Sequence, residues 1–202
     1  MIRSTHPDET ASLVELALRT GLFTPEDADL LLRSTLDQLH AGTLGEGHFA
    51  FVLESDGQAR GWVYFSDNPR ANGVWDLWWI GVDPACRGRG IGAQLMAFVE
   101  SYARDRGARL LQVETSDTDA LASTRAFYAR LGYATCGRVP DYYADGDGKI
   151  SSSADWRREG ARRRSGASTC ETRTQKAPSV DGAFGGADGT RTRGLRRDRP
   201  AL

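Results

Sequence analysis

The segment with the most chemistry in this 202-residue chain is Val82-Asp83-Pro84-Ala85-Cys86-Arg87-Gly88-Arg89-Gly90-Ile91-Gly92. An apolar run precedes it and an amphipathic one follows, so the chain leaves a strand, turns and enters a helix. Glycines let backbone amides approach an anion without Cβ obstruction, and a helix N-terminus adds four unpaired N–H groups and a positive partial charge. With Arg87 and Arg89 in the same turn, a pyrophosphate is the natural guest. Two other readings compete. An ordinary strand-to-helix turn also uses glycine, but here three glycines, two arginines and both flanking elements coincide. Gly88-Arg89-Gly90-Ile91-Gly92-Ala93 also fits the GxGxxA form of a dinucleotide-binding turn. It lies mid-chain, however, with too little sequence after it for a doubly wound domain. No Gly-Lys-Ser/Thr follows, which excludes an NTPase phosphate loop.

The elements that would carry this turn can be read from periodicity. Residues 8–19 place Leu13, Leu16 and Ala17 on one helical side. A second helix opens at Thr24, a good N-cap, with Pro25 at the first helical position and Glu26 and Asp27 at the positive end of the dipole. Ala28, Leu31, Leu32, Thr35, Leu36 and Leu39 continue it at helical spacing. Residues 48–53 and 60–65 form a hairpin around Ser55-Asp56-Gly57-Gln58. The run Val74-Trp75-Asp76-Leu77-Trp78-Trp79-Ile80-Gly81-Val82 reads as a central strand buried on both faces. A helix over 91–106, a strand over 109–114, a helix over 118–131 and a short strand over 133–139 follow. The order predicts an α+β or α/β protein, a sheet covered by helices in three layers.

Charge divides the chain. Residues 1–150 carry 14 Lys and Arg against 21 Asp and Glu, whereas residues 151–202 carry 12 against 6. From Ser151 onward periodicity disappears and apolar residues become scarce, so residues 151–202 are expected to be a disordered Arg/Gly/Ser-rich tail. Cys86, Cys136 and Cys170 form no CxxC pair, which argues against a disulfide framework or a zinc site and fits a reducing compartment. The N-terminus turns acidic before any apolar stretch, and no run approaches a membrane span. The expectation is a cytoplasmic protein without metal or membrane.

The glycine-rich turn resembles the mark of the GNAT superfamily of N-acetyltransferases, Arg/Gln-x-x-Gly-x-Gly/Ala between a central strand and a helix, matched by Arg87, Gly90 and Gly92. Thr124-Arg125-Ala126-Phe127-Tyr128-Ala129-Arg130-Leu131-Gly132-Tyr133 is similar to the family's Phe-Tyr…Gly-Phe/Tyr helix end. Residues 141–149 resemble the run before its last strand. The likeness covers residues 1–150 in the family's order of elements. It implies a mixed, mostly antiparallel sheet of about six strands with helices on both faces. The backbone from Arg87 through Gly88, Arg89, Gly90, Ile91 and Gly92 would bind the pyrophosphate of acetyl-CoA. The backbone of Ile80, Gly81 and Val82, splayed from the next strand, would pair with the pantetheine arm. Tyr128 matches the tyrosine that protonates the departing sulfur, or else is a core aromatic. Glu114 and Asp76 are the candidate bases, or else ordinary solvated or paired carboxylates. Trp75, Trp78 and Trp79 read first as core. The family's last strand should continue past Lys149-Ile150 with alternating apolar residues; Ser151-Ser152-Ser153-Ala154-Asp155 follows instead, so the body is expected to lose that strand.

The implied activity is direct acetyl transfer to an amine, of a small molecule or a peptide, in a ternary complex, with homodimers common in the family. A non-catalytic module that binds coenzyme A or an acyl-CoA is the alternative. Nucleic-acid binding through Arg191-Thr192-Arg193-Gly194-Leu195-Arg196-Arg197 is not expected, since the body offers no basic face and the tail few aromatic rings.

Overall fold

The structure is a computed structural model that describes residues 1–21 and 23–156. Seven strands form one sheet in the order β1-β2-β3-β4-β5-β7-β6. They are β1 (Ile2–Ser4), β2 (His48–Ser55), β3 (Gln58–Asp67), β4 (Val74–Val82), β5 (Leu110–Ser116), β6 (Ala134–Ala144) and β7 (Asp147–Asp155). All neighbours are antiparallel except β4 and β5, whose helical crossover makes them parallel.

Helices cover both faces. On one side lie α1 (Thr10–Thr20) and a continuous helical segment made of α2 (Pro25–Asp27), a π-helical stretch (Ala28–Arg33) and α3 (Ser34–His40). Thr24 caps that segment as expected, accepting the Asp27 N–H at 3.1 Å. Leu13, Leu16, Ala17, Leu32 and Leu36 pack here on Val52, Trp62, Tyr64 and Trp79. Each fully buried leucine contributes on the order of 2 kcal/mol. On the other side α4 (Ile91–Arg104) and α5 (Ala122–Arg130) lie over the sheet. Leu95, Met96 and Val99 meet Val63, Phe65, Trp75, Leu77, Leu111 and Val113 there. Contact is so close that a Cβ on Gly61 would sit 2.9 Å from the Ile91 Cγ2.

Two expectations need correction. The last strand is not lost: β7 pairs with β5 from Lys149 to Asp155, five residues past the expected boundary at 150, and Ala154 is buried against the α4 face. The strand is built by ladders on both its edges, β5 on one and β6 on the other, so it forms without apolar alternation. The expectation that β4 is covered on both faces holds, with half-exposed residues between the buried ones: Trp75 and Leu77 lie in the α4-side core and Trp79 in the core on the other side. Finally, β1 is a seventh-strand addition too short to announce itself by pattern. No helix among the described residues is long and apolar enough to cross a membrane. The expectations for residues 157–202 lie outside the described residues.

Candidate functional site

The site is a fork in the sheet. Residues 74–77 of β4 pair with residues 110–113 of β5, and there the ladder stops. Beyond it β4 stays with β3 as far as Val82, whereas β5 stays with β7 as far as Ser116. A β-bulge sits at the vertex: Tyr64 pairs with Trp79 and Phe65 with Leu77, leaving Trp78 as the extra residue. Bulges bend the strand that carries them and sharpen its twist, which turns β4 away from β5. The Asp83 N–H donates to the Arg60 carbonyl at 2.9 Å on the β3 side. Peptide groups alternate along a strand, so those of Val82 and Ile80 face the gap, and those of Gly81 between them face β3.

The glycine turn closes the mouth of the fork. Asp83 accepts the Ala85 N–H at 3.0 Å and starts a 3-10 turn, Pro84–Cys86. Gly88 and Gly90 follow with φ of +75° and +77°, a region where a side chain strains the backbone. Gly90 is the N-cap of α4 and brings no capping side chain. The first N–H of the regular ladder, from Gln94, bonds to the Gly90 carbonyl at 3.0 Å. The N–H groups of Ile91, Gly92 and Ala93 therefore emerge at the helix start without an intrahelical partner. Ile91 buries its side chain in the α4-side core. At Gly92 a Cβ would stand 3.3 Å from the Phe127 ring, so this glycine admits α5. The guanidinium of Arg87 turns away, donating to the Thr20 carbonyl at 3.0 Å and tying the turn to the end of α1. Arg89 is exposed.

Tyr128 is the one buried residue of α5 and belongs to the core on the α4 side. Burial pushes its phenol well above the ordinary range, so it keeps its proton. Arg125 fixes the approach of α5 by donating to the carbonyls of Ser116 (2.8 Å) and Thr118 (2.7 Å) at the end of β5.

Asp76 and Glu114 lie on the opposite face. Trp75 and Val113 point toward α4, so their neighbours Asp76 and Glu114 point away from it. Asp76 accepts from Asn68 Nδ2 at 2.9 Å. Burial raises its pKa above the usual carboxylate value; the Asn68 bond opposes that shift and the nearby Glu114 adds to it. Glu114 meets Lys149 Nζ at 3.1 Å, Gln112 Nε2 at 3.1 Å and Ser151 Oγ at 3.4 Å. Lys149 also sits over the Tyr142 ring, 4.2 Å from its centroid. Trp78 lies on this face too and donates to Ser66 Oγ at 2.8 Å.

A proton-bearing phenol thus lies in the core on one face of the sheet and two carboxylates lie on the other. Asn68, Gln112, Lys149 and Ser151 were not singled out from the sequence. The alternation along β5 signals Gln112 beside Glu114, but nothing local signals the others. Among the described residues no three His, Cys, Asp or Glu side chains are grouped to share a metal ion.

Residues 12–133 match the model of the acetyltransferase (GNAT) family. The chain belongs to that family. A GNAT-family structure from Desulfovibrio desulfuricans superposes with a TM-score of 0.73 at 30% identity, over 77% of this chain and 98% of the other. An aminoglycoside 6'-N-acetyltransferase complexed with coenzyme A shares the fold at 17% identity, with a TM-score of 0.59 over 77% of this chain and 96% of that one. The blasticidin-S acetyltransferase of Streptomyces morookaense is 43% identical over 68 residues, 33% of this chain and 46% of its own. The matched segment spans less than two thirds of the curated relatives' length, from 28% to 62%.

Proposed function

We propose that this GNAT protein transfers the acetyl group of acetyl-CoA directly to an amine. The observation that carries the reading is the fork, where the β4–β5 ladder stops after Leu77 and Val113, with the candidate acid Tyr128 in the core on one face of the sheet and the candidate bases on the other. The amides at the start of α4 and the left-handed turn at Gly88 and Gly90 suit the pyrophosphate of the donor. The peptide groups of Ile80 and Val82 suit its pantetheine arm. In the gap, an amine nitrogen attacks the thioester carbon and the carbon–sulfur bond breaks. Asp76 takes the proton that the amine must lose, either directly or through water. Tyr128 gives its hydrogen bond, and then a proton, to the departing thiolate. Holding both reactants in line supplies a large part of the rate.

Asp76 and Glu114 outweigh Lys149 on the acceptor face, which favours a cationic amine. The relative named for blasticidin S makes that compound the first acceptor to try. The non-catalytic reading loses its main support with β7 running to Asp155. The test is release of free thiol from acetyl-CoA by the full chain across a panel of blasticidin S, diamines, amino acids and peptide N-termini. Acceptor-dependent release is expected with at least one small amine. A folded protein that binds acetyl-CoA and releases no thiol with any of them would overturn the enzymatic reading.

A further inference from the structure

One short network converges on Asp76 from the loop between β3 and β4. Asn68 is fixed there by three backbone-linked hydrogen bonds. Its N–H donates to the Val74 carbonyl at 2.8 Å, its own carbonyl accepts the Ala71 N–H at 3.1 Å, and its Oδ1 accepts the Arg70 N–H at 3.0 Å. The last of these is an Asx turn across Pro69. It also assigns the amide ends, because only an oxygen can accept from Arg70; Nδ2 is then the atom that faces Asp76, and it donates to Oδ2 at 2.9 Å.

We infer that Asn68 is a positioning residue for acetyl transfer, holding one oxygen of Asp76 so that the other is presented to the acceptor amine. The inference rests on the reading of Asp76 as the base. The choice of an amide follows from the charges around it. Glu114 on β5 is the charged group facing Asp76, and Lys149 of β7 is engaged by Glu114. Gln112 of β5 and Ser66 of β3 stand opposite Asp76 in the two ladders and are neutral. Among the described residues Asp76 has no cationic partner. A half-buried carboxylate beside a like charge tends to stay protonated. A guanidinium or ammonium partner would ionise it but would also weaken it as a base. A neutral donor on one oxygen favours ionisation while leaving the charge available.

Two substitutions separate this role from the turn itself. Asn68→Ser keeps an oxygen for the Arg70 N–H but is too short to reach Asp76. Asn68→Asp keeps that acceptor and sets a second carboxylate against Asp76. In the full chain, with carbon-13-labelled aspartate, the Asp76 carboxyl resonance is identified by its loss in Asp76→Asn. Its titration midpoint is expected to rise by about 1 pH unit in Asn68→Asp and by less in Asn68→Ser. The backbone amide spectrum away from the loop should be unchanged. With acetyl-CoA and the amine active in the panel, blasticidin S tried first, kcat should fall in both variants while KM for acetyl-CoA holds. An unmoved midpoint in both variants, with turnover lost in Asp76→Asn, would overturn the role of Asn68 alone. Turnover unaffected by Asp76→Asn would instead remove the base reading and this inference with it.

Discussion

The two faces of the sheet meet at the fork but are built from different materials. On the α4 face the proposed binding groups are backbone amides from consecutive residues, set by Gly88, Gly90 and the helix start. On the opposite face they are side chains from four separate elements: Asn68 from a loop, Asp76 from β4, Gln112 and Glu114 from β5, and Lys149 and Ser151 from β7. Backbone chemistry is indifferent to side-chain substitution and suits a donor common to a whole family. Side chains drawn from several strands can change one at a time, which suits an acceptor that differs among relatives. Fold alone does not choose that acceptor.

The largest effect should come from removing what both faces share. Ending the chain after Ile150 takes away the part of β7 that pairs residues 110–114 of β5, including buried Ala154. Loss of cooperative unfolding by circular dichroism is expected; a folded product would show that the fork does not depend on β7. Next, Tyr128→Phe removes the proposed proton donor on the α4 face without changing its ring packing against Phe127 and Tyr133. A fall in kcat of about 100-fold, with acetyl-CoA binding retained, is the expected result.

On the opposite face, Asp76→Asn should lower kcat at neutral pH by about 10-fold, less than a full acid–base contribution because positioning persists. In the parent enzyme kcat/KM should fall as pH drops through the raised Asp76 pKa, and the variant should lack that limb. Stability has the opposite sign. A carboxyl whose folded pKa is raised adds stability below its unfolded pKa, and that stability is lost as pH rises through the folded value. The neutral-pH Tm of Asp76→Asn should therefore equal or exceed the parent's. The smallest effect is expected from Lys149→Met, which breaks the ion pair with Glu114. A fall of about 3-fold in KM for a cationic acceptor, with acetyl-CoA affinity unchanged, would keep the two faces distinct; a matching change in acetyl-CoA affinity would merge them.

The same contrast explains what could be read before the structure. The α4 face was legible because its chemistry lies in eleven consecutive residues between a strand and a helix. Tyr128, Asp76 and Glu114 were found as candidates, but their division between faces depends on the Trp78 bulge and the β4–β5 register, which no local pattern encodes. β7 was missed because Ser151, Ser152 and Ser153 give no apolar alternation; only Ala154 of that stretch is buried. Asn68 was visible only as a turn residue, since its partner comes from eight positions away across the hairpin end.

The most direct test is calorimetric binding of acetyl-CoA to the full chain and to its Gly90→Asp variant. Asp at a φ of +77° strains the turn and sets a carboxylate at the positive end of α4, where an anion should bind. Micromolar binding by the parent, weakened by about 100-fold in the variant, is the predicted result. Absence of binding by the folded parent, or equal binding by a folded Gly90→Asp variant, would contradict the account.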